Sequence, residues 1–179
     1  MSNQYFIEME EYIRQLRATY NEGLYYFSLI GCVTLIDTCA ALNSKNGETN
    51  KKVFKKWYNK HLSQYTDIGD TLSFNAEECY KFRCRLLHQS RTEMDAPTMN
   101  RNVKSGKIAF RIGKGTFHCC NFEGVYYLDI KTFMEDLINA VLKWMNESRE
   151  DPDFKKNYSH MIKTTNVPPT INRPGTYIY

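Results

Sequence analysis

The chain has 179 residues, of which 42% are hydrophobic and 14% aromatic, and this composition fits one globular domain with a buried core. Its net charge of +4 permits a polyanionic partner without requiring one, and no apolar run reaches the roughly 18 residues of a membrane span. Because the N-terminus also lacks the basic and apolar segments of a secretion signal, we predict a cytoplasmic protein that makes no membrane contact.

Hydrophobic spacing predicts three helices in the first part of the chain. The first is amphipathic, runs from about Gln4 to Tyr20, and is ended by residues 21–23. The second, from Leu24 to Leu42, is apolar nearly all round, as a central bundle helix should be, and its one charged residue is Asp37. The third runs from about Lys51 to Leu62 and contains lysines but no acidic residue.

Two further helices and a β segment are predicted in the rest of the chain. Asn75 is suited to cap a fourth helix that continues to about Ser90, and Asp129 is suited to cap the last long helix. Between them, alternating residues and glycine turns predict an antiparallel meander of three short strands, 108–112, 116–122 and 125–128.

The predicted fold is therefore mainly α: a bundle of about five helices with a small β meander inserted before the last long helix. Residues 1–150 form the helical domain, with the β insert at about residues 107–128, and residues 151–179 form an extended tail containing proline and tyrosine. The six cysteines lack C-x-x-C spacing, which predicts reduced thiols.

An arginine occupies an unexpected place on the fourth helix. On a helical wheel, Arg83 falls in the middle of a broad apolar arc and His88 at its margin; the arc consists of Cys79, Tyr80, Phe82, Cys84, Leu86 and Leu87. A buried guanidinium is costly unless an anion pairs with it. Asp37, which lies on the apolar second helix, is the candidate partner.

Arg83 and His88 form an R-x4-H pattern within the segment Tyr80–Gln89. This segment resembles the R-x(4–6)-H motif of the HEPN superfamily of helical bundles, and is similar to HEPN proteins from plasmid, phage and anti-phage defence. The resemblance covers about residues 4–90 and the last helix. Arg111 and His118 also give R-x6-H, but they flank a glycine turn in a predicted hairpin, where the family geometry cannot exist.

The resemblance implies metal-independent cleavage of RNA through attack of the ribose 2′-OH, without a cofactor, at a site shared by two protomers. Histidine can transfer protons near neutral pH, which suits His88, and arginine can stabilise the charge on phosphorus, which suits Arg83. Asp37, Cys84 and Arg85 are candidate supporting residues. A defence or toxin-like role and a regulatory partner such as an antitoxin are further expectations.

Other interpretations stay open. Arg83 and Asp37 could form a purely structural salt bridge, with His88 capping its helix, in a catalytically inactive HEPN-like interaction or RNA-binding module. A basic DNA-binding helical protein is a weaker alternative. A basic set is either a solvated face or an RNA-binding surface: Lys51, Lys52, Lys55, Lys56 and Arg91. No metal is predicted, because no second cluster completes a site with His118, Cys119 and Cys120.

Overall fold

The structure is a computed structural model that describes residues 6–65, 74–89, 107–112, 118–123 and 125–163, without the side chains of residues 89, 107 and 121. It is mainly helical, with a small sheet before the last long helix, as predicted. Its elements are α1 (Ile7–Asn21), α2 (Tyr25–Leu42), α3 (Lys51–His61), a 3-10 turn (Ser63–Tyr65), α4 (Ala76–Gln89), β1 (Lys107–Arg111), β2 (Cys120–Phe122), β3 (Val125–Asp129), α5 (Ile130–Ser148) and α6 (Pro152–Tyr158).

Helix α2 lies at the centre of the bundle and contacts each of the other helices. The prediction that no segment is long and apolar enough to span a membrane is wrong for α2, which meets this criterion by length and composition. Half of α2 is nevertheless buried inside the protein, and it carries the buried carboxylate of Asp37. A helix surrounded by other helices needs the same composition. We therefore interpret α2 as the core helix of the bundle, and the cytoplasmic location stays a prediction.

Aromatic rings fill the core and position the start of α4. Trp57 and Trp144 meet edge to face with ring centroids 5.7 Å apart, and Phe74 meets Phe133 in the same way at 5.4 Å. This geometry directs the positive edge of one ring at the negative face of the other. The Tyr58 hydroxyl donates a hydrogen bond to the backbone carbonyl of Phe74. The chain is thereby fixed to α3 just before α4 begins.

The sheet has the strand order β1-β3-β2, in which β3 pairs in parallel with β1 and antiparallel with β2. The predicted meander, with the first strand joined to the second in a hairpin, is therefore wrong. Strand β3 buries Tyr126 and Leu128 and has the pattern of a central strand. Of the predicted second strand, residues 116 and 117 lie outside the described residues; β2 begins at Cys120, because the φ of 54° at Cys119 is not extended backbone.

The expectation of an extended chain after Asp151 is wrong for residues 152–158, which form α6. The Asp151 side chain accepts hydrogen bonds from two backbone N–H groups of the first turn, and Pro152 lies where a missing N–H is tolerated. Phe154 is buried in the hydrophobic core and thereby holds α6 against the bundle. Residues 164–179 of the predicted tail lie outside the described residues.

Candidate functional site

Helix α4, which carries the R-x4-H pattern, begins as predicted. The Asn75 side chain accepts hydrogen bonds of 3.0 Å from the backbone N–H groups of Glu77 and Glu78. The face turned into the bundle is formed by Ala76, Cys79, Phe82 and Leu86. Arg83 lies at the edge of this face, with 23% of its side chain exposed, so its predicted place in the middle of the buried arc is wrong. The arc is narrower because its other members are only partly covered: Tyr80, Cys84 and Leu87.

Arg83 and Asp37 form the predicted ion pair between α4 and α2. The Nε–H of Arg83 donates to Asp37 Oδ2 at 2.6 Å, and only 12% of the Asp37 side chain is exposed. The Arg83 guanidinium carbon lies 5.9 Å from the ring centroid of Tyr80, close enough for attraction to the ring face. Cys84, a predicted supporting residue, lies beside it, with Sγ 3.9 Å from Nη1.

Only one of the two carboxylate oxygens of Asp37 takes part in the ion pair. Asp37 Oδ1 is buried and has no hydrogen-bond partner among the described residues. Burial raises the pKa of the Asp37 carboxyl, and the hydrogen bond from Arg83 opposes this effect. Burial has the largest single effect on Arg83 and lowers its pKa, but the hydrogen bond to Asp37, the charge of Asp37 and the contact with Cys84 together outweigh burial, so the pKa is raised. Arg83 is therefore a charged group anchored through Nε at the rim of the bundle.

His88 lies in the last turn of α4 and is exposed. Five residues of α-helix correspond to a rotation of about 140° and a rise of about 7.5 Å, so Arg83 and His88 project from the helix in different directions. Within a single chain, the side chains of Arg83 and His88 therefore do not point at the same phosphate. Arg85, the reserve candidate for Arg83, is half-buried on the same helix.

The predicted basic set divides into two groups. Lys51 and Lys55 both bind Glu77, with Nζ–Oε distances of 2.7 Å each, and these hydrogen bonds lower the pKa of Glu77 to about 2. Lys52 and Lys56 are exposed and form no ion pair within the described part of the chain. The sequence did not indicate Glu77 as their partner, because an acidic residue in the first turn of α4 is equally explained by the helix dipole. Arg91 lies outside the described residues.

A second polar cluster, which the sequence does not predict, joins the sheet to the bundle. His118 Nδ1 accepts a hydrogen bond of 3.2 Å from the Asp129 backbone N–H, so the proton of the neutral ring is on Nε2. Nε2 lies 3.0 Å from the Tyr65 hydroxyl, which donates to Asp136 Oδ2 at 2.7 Å. Local patterns could not indicate this cluster, because Tyr65 is 53 residues from His118 and 71 from Asp136. Both ring nitrogens are occupied, which disfavours metal binding through this histidine.

We expect the protein to lose stability as the pH falls below about 6.5. Burial lowers the pKa of His118 and of His61 below the ordinary value of 6.5, so the unfolded chain binds protons that the folded chain does not. By linkage, the free energy of unfolding is at its plateau above the unfolded pKa and falls as the pH drops from there through the folded pKa. Urea unfolding at a series of pH values measures this dependence.

The His118→Asn variant provides the control, because its amide oxygen takes the place of Nδ1 and can still accept the Asp129 N–H while the side chain no longer titrates. Its stability should vary less with pH than that of the wild type, and the remaining variation should decrease when His61→Gln is added. An unchanged pH dependence in both variants would show that other groups are responsible.

A groove in the described part of the chain lies away from Arg83. It has a volume of about 660 Å³ and is lined by α1, α2 and α6, including Tyr12, Thr34 and Asn157. Asn157 donates hydrogen bonds to the backbone carbonyls of Leu42 and Ser44, and thereby holds α6 to the end of α2. Neither Arg83 nor His88 lines this groove. The volume of this groove alone does not indicate a ligand or a reaction.

Comparison with family models, curated proteins and solved structures found no match to this chain.

Proposed function

We propose that the protein is a HEPN-type endoribonuclease that cleaves RNA without a metal ion as a homodimer. The observation that supports it best is the state of Arg83, which is charged, partly exposed and bound through Nε to Asp37 and through Nη1 to the Cys84 sulfur. A guanidinium fixed in this way can direct its remaining N–H groups at a phosphate. His88, exposed on the same helix, supplies the second residue of the R-x4-H pattern.

The proposed chemistry uses only these side chains and the substrate. The ribose 2′-oxygen bonds to the adjacent phosphorus while the bond from phosphorus to the 5′-oxygen breaks. His88 accepts the 2′-OH proton and passes a proton on to the leaving 5′-oxygen. Arg83 stabilises the additional charge on phosphorus. The products are a 2′,3′-cyclic phosphate and a 5′-OH, and the nucleophile belongs to the RNA itself.

A homodimer resolves the divergence of Arg83 and His88 within one helix. Two α4 helices that meet across an interface can direct an arginine and a histidine at one phosphate. The exposed positions of α2 are apolar: Tyr26 and Phe27 are 44% and 59% exposed. Leu87 on α4 is 37% exposed. These side chains support an interface between two copies on the α2 and α4 side of the bundle.

The alternative is a catalytically inactive HEPN-like module for interaction or RNA binding. It is favoured by the ion pair itself, because Asp37 would stabilise Arg83 in one bundle whether or not a substrate binds. A defence or toxin-like role and a regulatory partner rest on the sequence resemblance and stay predictions.

We expect the purified protein to cleave single-stranded RNA in EDTA and to leave 2′,3′-cyclic phosphate ends. A substrate with one 2′-deoxyribose should resist cleavage at that position alone, because its nucleophile is missing. Gel electrophoresis and mass spectrometry of the products measure both effects. Cleavage that requires an added metal ion, or that proceeds at the 2′-deoxy position, would contradict the mechanism. Binding without cleavage would favour the inactive module.

A further inference from the structure

The outward side of α3 carries a row of three exposed lysines that form no ion pair within the described residues. Lys52, Lys56 and Lys60 are four residues apart, so they lie in one stripe at intervals of about 6 Å along the helix. All three are exposed and lack ion-pair partners within the described residues. Their neighbours Lys51 and Lys55 differ, because both are bound to Glu77.

This row is unfavourable in the isolated protein. Like charges four residues apart on a helix repel, and Lys52 lies in the first turn of α3, where the helix dipole disfavours a cation. At the other end, burial lowers the pKa of His61, and Lys60 and Lys143 lower it further against the influence of Glu147. Positive charge is thus concentrated along α3, and an anionic partner would compensate it.

We infer that this row, Lys52, Lys56 and Lys60, is a track for the phosphates of single-stranded RNA. The inference rests on the proposed function and names the surface that holds the substrate. A regular stripe of flexible ammonium groups suits a chain of evenly repeated phosphates and requires no particular base. The track lies on a helix next to the one that carries Arg83: α3 packs against α4, and Lys51 in the first turn of α3 binds Glu77 in the first turn of α4.

The test is the salt dependence of RNA binding by full-length protein with His88→Ala, which prevents cleavage. Fluorescence anisotropy of a labelled oligouridylate of about twenty nucleotides gives the affinity at several salt concentrations. Replacing all three track lysines by glutamine should reduce the slope of log affinity against log salt by about 2, since each phosphate contact contributes about 0.7. At 0.1 M salt this corresponds to roughly a hundredfold weaker binding.

A matched control removes the same charge elsewhere, through the exposed residues Lys45, Lys131 and Lys163, each changed to glutamine. This control should change the slope by much less than the track variant. Equal effects of both triple variants would overturn the track and indicate attraction by net charge alone. Unchanged binding in the track variant would show that the row is only a solvated face.

Two further measurements separate this inference from the nuclease proposal. An oligothymidylate of equal length should show the same change of slope, because phosphate contacts do not need the 2′-OH. If the wild-type protein binds RNA through the track but never cleaves it, the nuclease proposal fails and the track stands. If cleavage occurs and the track variant binds normally, the track fails and the nuclease proposal stands.

Discussion

Replacement of His88 by alanine should lower the rate of RNA cleavage about a thousandfold, within the range that a general acid or base contributes. His88 is exposed at the end of α4, so the substitution should leave the free energy of unfolding almost unchanged. Loss of activity without loss of stability is the result that a structural role cannot produce. Single-turnover cleavage and urea unfolding of the same preparation measure both quantities.

Arg83→Ala is a less direct test, because it affects the fold as well as the site. The variant leaves the Asp37 carboxylate buried without its partner, and we expect a loss of about 2 kcal/mol of stability in addition to the loss of cleavage. Adding Asp37→Asn removes the buried charge, so the double variant should recover stability and remain inactive. Full activity of His88→Ala, or of the stable double variant, would contradict the assigned roles.

The sequence was sufficient to predict the Arg83–Asp37 pair, although 46 residues separate the two side chains. Asp37 was the one charge of its helix and Arg83 the one charge within the apolar arc of its helix, and a buried charge is stable only when an opposite charge pairs with it. The start of α4 was equally predictable, because the Asn75 cap is a local signal. The degree of burial of Arg83 was not predictable, because it depends on which helices pack on either side of α4.

Two of the errors, in the strand order and in the partner of Lys51 and Lys55, have a common physical origin in contacts between distant segments. Strand order depends on pairing across the sheet, and the alternation of residues in β1 is equally compatible with a parallel or an antiparallel neighbour. Helix α6 was missed for a different reason: Pro152 suggested a break, whereas proline directly after a capping aspartate starts a helix. The ion pairs of Lys51 and Lys55 with Glu77 were likewise not predictable, because they depend on the packing of α3 against α4.

Two inactive proteins should restore cleavage when they form one dimer. A chain with Arg83→Ala retains His88, and a chain with His88→Ala retains Arg83, so a heterodimer still holds one of each. If the site combines residues from both protomers, the heterodimer should cleave RNA at least about tenfold faster than either parent, because acid–base catalysis is partly restored. Heterodimers purified through two different affinity tags, and assayed in EDTA, provide the measurement.

The geometry of α4 makes this the more demanding of the two tests. Because Arg83 and His88 point about 140° apart on one helix, a site built from a single chain would be destroyed in both parents and could not reappear on mixing. Parent homodimers carried through the same dissociation and purification serve as the control for refolding. A heterodimer no more active than its parents would exclude a shared cleft, even if each single substitution abolishes cleavage.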